Sequence, residues 1–163
     1  GLGPARRTRG EADMTLRRTG AIAAVAFIGL TAFATTADAA RVAYVVDGDT
    51  VRLNSGRYVR LIGYDTPEYG RRYFYSAKRS LDRFVPASGR VLLVNPSSVE
   101  DTDHYGRMLR YVRVAGRDAG TRLLRQGYGR ARYDSRDGYD WHPLERRYHR
   151  IDYNTGNLWW PEP

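Results

Sequence analysis

A chain of 163 residues with 27 Lys+Arg against 18 Asp+Glu has room for one basic domain with a leader or tail, and its formal charge of +9 favours polyanions such as nucleic acid or anionic membranes. Lys78 is the single lysine, so the charge is almost all guanidinium, a planar fork that pairs two-pronged with phosphate and keeps its proton. The absence of cysteine excludes disulfides and thiolate zinc sites and leaves oxygen or imidazole ligands for any metal, which points to hard cations such as calcium or magnesium.

Residues 1–13 precede Met14 and are read as an upstream extension outside the fold. Residues 14–39 read as a secretory signal. Arg17 and Arg18 precede an apolar run from Ala21 to Ala34, and Ala37-Asp38-Ala39 supplies a small-x-small cleavage site. The run is shorter than the roughly 18 apolar residues of a membrane span. Cleavage after Ala39 is expected, giving an exported domain of residues 40–163, secreted or in the cell envelope, without stable membrane association and monomeric.

In the domain, Arg41–Val46 reads as a strand broken by Asp47-Gly48-Asp49. Thr50–Leu53 and Arg57–Gly63 alternate on either side of the Asn54-Ser55-Gly56 turn, so a three-stranded antiparallel meander is predicted. Tyr64–Pro67 leaves the sheet. Arg72–Val85 carries apolar residues at helical spacing and stops at Pro86. Strands follow at Arg90–Val94 and Met108–Val114, with a polar loop, Asn95–Gly106, between them. Helices follow at Ala119–Gln126 and Pro143–Tyr153. Arg132–Asp140 reads as a loop, and Trp159 and Trp160 as packing anchors. Five short strands with two or three helices suggest a small α+β domain, and a five-stranded, partly open barrel fits the count. His142 and His149, seven apart, read as a solvated pair on one helix face, since no third metal ligand is evident.

Asp47, Asp49, Asp65 and Glu68 concentrate the chemistry. Asp49 and Asp65 flank strand ends that a meander brings to one rim, where two carboxylates with carbonyls and water suit a hard cation. Taken alone, Asp-Gly-Asp and Asp-Thr-Pro are ordinary turns, and Asp47 is read as a turn former. Arg60 changes this balance. By strand parity it shares a face with Tyr58 and Ile62, and burying it there is costly unless it meets an anion. Arg107 opens a later strand, and two arginines beside a metal suit a phosphate undergoing in-line displacement.

The stretches VVDGDTVRL (45–53), VRLIGYDTPE (59–68) and DHYGRMLRYV (103–112), with RLLRQGYGRARY (122–133) and NLW (157–159) more loosely, resemble the staphylococcal nuclease (thermonuclease-like) family in order and spacing. The resemblance implies an α+β fold, a five-stranded OB-fold β-barrel with about three packed helices. It implies Ca2+ held by Asp49, Asp65 and the Thr66 carbonyl. Glu68 would position or deprotonate the attacking water, and Arg60 and Arg107 would bind the scissile phosphate. Tyr105 and Tyr133 would contact the nucleotide. The implied activity is hydrolysis of DNA and RNA, preferably single-stranded, leaving 3′-phosphate ends.

This chain departs from the family pattern in three places. It enters its helix almost directly through Tyr69-Gly70-Arg71-Arg72. It carries Ser135 where a second pocket tyrosine is expected, with Tyr139 near. It has His104 where a lysine is familiar, read as a solvated neighbour of phosphate. Asp103 is expected to orient an arginine or a loop amide. One rival reading is a non-catalytic OB-fold module that grips single strands or other polyanions. Another is an envelope protein holding anionic polymers, which would not need the acids at 49, 65 and 68.

Overall fold

The computed structural model describes residues 3, 35–86 and 89–160. The upstream extension, apart from residue 3, and the leader up to residue 34 lie outside the described residues.

The strands and helices, in chain order, are β1 (Thr35–Val45), β2 (Thr50–Leu53), β3 (Tyr58–Leu61), β4 (Tyr64–Asp65), α1 (Phe74–Phe84), β5 (Arg90–Pro96), β6 (Met108–Val114), β7 (Arg117–Asp118), α2 (Ala119–Arg125), β8 (Arg130–Ala131) and α3 (Glu145–Thr155). β1, β2 and β3 form the expected antiparallel meander, with Val45 opposite Val51 and Val51 opposite Val59. β1 also pairs with β5, and β5 with β6. A parallel pairing of β3 with β6, Val59 opposite Met108, closes a mixed five-stranded barrel. The alternation of β2 and β3 explains the core: Val51, Leu53, Val59 and Leu61 all turn inward and are buried.

α1 lays Phe74, Ala77, Leu81 and Phe84 on the barrel, the face its periodicity marks. α2 is capped by Asp118, whose carboxylate accepts the Thr121 amide at 2.7 Å. α3 starts two residues later than expected, at Glu145.

Three features depart from the sequence reading. β1 begins at Thr35 and not at Arg41, because β5 offers partners as far as Pro96. The cleavage tripeptide thus lies in a strand, with Ala39 opposite Leu92. Tyr64-Asp65 leaves the barrel sheet as expected but, unforeseen, forms a separate two-residue ladder with Arg130-Ala131. Trp160 is 46% exposed, with the Arg130 guanidinium 4.3 Å above its ring, and so is no packing anchor.

Candidate active site

Asp49 ends the turn between β1 and β2. The Asp47 carboxylate accepts the Asp49 amide at 3.0 Å, the turn-forming role read from the sequence. Gly48 lets the turn approach α1 and the segment after β4. A Cβ there would lie 2.7 Å from Thr66 Oγ1 and 2.8 Å from the Ala77 methyl. The Tyr64 hydroxyl donates to the Gly48 carbonyl at 3.1 Å and fastens the two segments together.

Arg60 meets the anions that its strand parity demands. Its Nη1 lies 2.8 Å from Asp49 Oδ1 and its Nη2 3.2 Å from Asp65 Oδ1. Thr66 Oγ1 donates to Asp49 Oδ2 at 2.8 Å, and Thr50 Oγ1 to Asp49 Oδ1 at 3.2 Å. Asp65 is presented by the short β4–β8 ladder, opposite Arg130. Asp49, Arg60, Asp65 and Thr66 are thereby brought together from three separate segments.

Burial pushes the Asp49 carboxyl up to about 7. Arg60 pulls it down, while Asp47 and Asp65 push it further up. Burial also raises Asp65, against the pull of Arg60. Burial works against the Arg60 charge, but Asp49 and Asp65 outweigh it and its pKa rises. The site therefore holds more carboxylate than its arginine neutralises, in a poorly hydrated place. A cation or a shared proton relieves that excess. The carboxylates suit an oxygen-liking ion: each has about four acceptor positions, and Asp49 receives Arg60, Thr50 and Thr66 while Asp65 receives Arg60 and the Thr66 amide.

The remaining expected residues fall in three places. The Arg60 guanidinium lies 5.4 Å from the Tyr133 ring centre, and Tyr139 packs edge-on against that ring at 5.3 Å. Tyr139 thus supplies in space the second ring that Ser135 does not supply in sequence. Arg107 and Tyr105 sit in the loop before β6. Asp103 accepts Arg107 Nε at 2.7 Å, the Arg107 amide at 2.9 Å and the Tyr105 amide at 3.0 Å, as expected for an orienting group. Arg107 stands 5.2 Å over the Tyr105 ring, and His104 is exposed against the same ring at 3.7 Å. Glu68 is exposed just past Pro67, and its carbonyl accepts the Arg71 amide at 3.0 Å.

The solvated histidine pair is corrected. His142 precedes α3, is 1% exposed and shares a 2.8 Å hydrogen bond between Nδ1 and the Tyr111 hydroxyl. His149 pairs with the fully buried Asp134. Asp134, His142 and Glu145 each bring a potential metal-ligating atom within 4.8 Å of the others, a grouping missed because its members lie on a loop and a helix start. Protein partners hold the two carboxylates of this cluster, while His142 Nε2 is buried without a hydrogen-bond partner among the described residues. Ser135 donates to Glu145 at 2.7 Å and the Arg136 amide to Asp134 at 3.0 Å, so it ties α3 to the loop before it.

A closed five-stranded barrel with three helices, bearing a buried acid–arginine–acid group at its rim, defines an OB-fold α+β protein of the nuclease type. The sequence model of the staphylococcal nuclease homologue family matches residues 58–154, more than half of the chain, and the chain belongs to that family. The match begins after Asp49, so the place of Asp49 in the site rests on its contacts with Arg60 and Thr66. No curated protein matches the chain.

Proposed function

We propose that the protein is an exported, calcium-dependent nuclease that hydrolyses phosphodiester bonds of DNA and RNA, prefers single strands and leaves 3′-phosphate ends. The observation that carries this reading is the Asp49–Arg60–Asp65 group, in which one guanidinium is shared by two carboxylates whose pKa values burial raises. Asp49, Asp65 and the Thr66 carbonyl would hold the calcium, which when bound would neutralise charge on the scissile phosphate. Arg60 would pair with that phosphate, and Arg107 would stabilise the charge that grows on it during displacement. Glu68, exposed three residues after Asp65, would orient or deprotonate the attacking water. Tyr105 and Tyr133 would contact the nucleotide, in keeping with their positions against Arg107 and Arg60.

Incubation of single-stranded DNA with the protein in calcium, magnesium and chelator tests this. Cleavage is expected in calcium and its loss in chelator, and undiminished cleavage in chelator would remove the metal from the reading. Binding without cleavage at every calcium concentration would establish the non-catalytic module instead. Glu68→Ala is expected to lower turnover by roughly 10²–10³, the scale of losing one group that acts on the transition state, with the melting temperature unchanged.

A further inference from the structure

Strand pairing lines up a row of side chains beside the phosphate-binding arginine. Tyr44 on β1 is opposite Arg52 on β2, and Arg52 is opposite Tyr58 on β3. One pleat further along, Thr50 is opposite Arg60. Tyr58 and Arg60 are two apart on one strand, as are Arg52 and Thr50, so both rows lie on the same outer face, about 6.7 Å apart. That distance is about the step of one nucleotide in an extended strand. On the far side, β6 runs parallel to β3 with Met108 opposite Val59, so Arg107, one residue earlier, comes level with Tyr58.

The row is exposed and already organised. Tyr44 is 50% and Tyr58 38% exposed. The Arg52 guanidinium carbon lies 5.0 Å from the Tyr58 ring centre, and its Nη1 donates to the hydroxyls of Tyr58 at 3.1 Å and Tyr44 at 3.5 Å. One cation is therefore held over the Tyr58 ring and shared by two tyrosine hydroxyls, on a barrel face that opens away from the core. Neither the ion site nor the nucleotide contacts at Tyr105 and Tyr133 use these residues. Guanidinium with tyrosine rings is the chemistry that grips single-stranded nucleic acid without reading its sequence: the charge takes a phosphate and the rings stack on bases.

We propose that Tyr44, Arg52 and Tyr58 form a flanking subsite that holds the nucleotide next to the scissile phosphate. Arg52 takes the neighbouring phosphate and the tyrosine rings take a base. The proposal rests on the nuclease reading for the position of the scissile phosphate, and its test has an arm that does not.

Full-length protein, Arg52→Gln, Arg52→Lys and Tyr58→Leu are titrated with a fluorescent six-residue oligothymidylate in chelator, across salt concentrations. About tenfold weaker binding is expected for Arg52→Gln and for Tyr58→Leu, the scale of one lost stacking contact. Arg52→Gln should also flatten the salt slope by about 0.7, one phosphate contact on a single strand. Arg52→Lys should keep the slope and lose part of the affinity. In calcium, the ratio of kcat/KM on the hexanucleotide to that on the dinucleotide should fall about tenfold in Arg52→Gln and Tyr58→Leu. Unchanged affinity, slope and ratio overturn the subsite. Equal losses against heparin, which has no bases to stack, also overturn it and leave a general polyanion patch. If the wild type binds the oligonucleotide but cleaves nothing in calcium, the nuclease reading fails and the binding titration still decides the subsite. If the wild type does not bind it, both readings fall.

Discussion

The two arginines assigned to phosphate are held in opposite ways. Arg60 lies within the barrel wall, 9% exposed, and is gripped by Asp49 from the turn before β2 and by Asp65 from β4. Arg107 lies at the open end of β6, in a loop organised by one carboxylate, Asp103. The first arginine is part of what holds the fold together, and the second is a fixture added to it. The one role proposed for both, phosphate recognition, would therefore carry very different structural costs at the two positions.

Substitution separates the two. Arg60→Ala and Arg107→Ala are each expected to lower kcat/KM by about a thousandfold, as under the proposed function both would remove a charge that acts on the transferring phosphoryl group. Only Arg60→Ala should also destabilise the protein, by about 3 kcal/mol in chelator at pH 8, because it strands a buried carboxylate. The penalty should shrink near pH 5, where Asp49 takes up a proton. Arg107→Ala should change stability by less than about 1 kcal/mol, since it breaks a part-exposed pair. Thermal melts and single-turnover rates on both variants check this, and equal melting temperatures would erase the distinction.

The raised carboxyl at Asp49 sets a second expectation. Its folded value of about 7 lies above the usual 3.8, so the folded state takes up a proton that the unfolded chain has released. In chelator, the contribution of this group to stability is therefore greatest at low pH and declines as pH rises from about 4 through 7. Calcium needs the ionised carboxylate, so its half-saturating concentration should rise about tenfold for each pH unit below about 7. Melts with calcium and with chelator from pH 5 to 8 should diverge as pH rises. Curves that stay parallel would remove Asp49 from the ion site.

The turn beneath Asp49 offers a smaller effect. Gly48→Ala pushes a methyl against Thr66 and Ala77, both packed, and should cost about 1–3 kcal/mol. Because Thr66 also donates to Asp49, calcium affinity should weaken with it. Calorimetry and a calcium titration of the variant check both.

These residues also show how far the sequence could be read. β6 was legible to the residue, since its run of strand-forming residues is bounded by Gly106 on one side and Ala115-Gly116 on the other. Arg60 was legible through parity, because a charge that shares a strand face with Ile62 needs a partner. The β4–β8 ladder was not, as two residues carry no period, yet it is what presents Asp65. Gly48 looked like a turn residue, but close approach and not backbone freedom explains it. Tyr139 reaches Tyr133 through a left-handed backbone at Tyr133, φ 59°, and the 3-10 turn at Ser135–Asp137, a path no spacing rule describes. His142 was misread because the partner of its Nδ1, Tyr111, comes from the distant strand β6.

The smallest effect belongs to the loop that holds Arg107. Asp103 engages Arg107 through Nε and leaves the two terminal nitrogens outside that pair, so it aims the guanidinium and does not compete for its whole fork. Burial works to raise the Asp103 carboxyl, but the Arg107 amide and guanidinium and the Tyr105 amide outweigh it and hold it low. A depressed acid of this kind adds stability above its unfolded pKa and loses it as pH falls through the folded one. Because the pair is partly exposed, that contribution should stay under about 1 kcal/mol. Asp103→Asn keeps Oδ1 as an acceptor for the two loop amides and loses the charge together with the acceptor for Arg107 Nε. The expected result is a KM raised a few-fold, kcat nearly unchanged and a melting temperature within a degree or two of wild type. Asp103→Ala, which also loses the turn, should lower kcat as well, because Arg107 then starts each turnover misplaced. If Asn and Ala behave alike, the loop amides are not what positions Arg107, and the ion pair alone is.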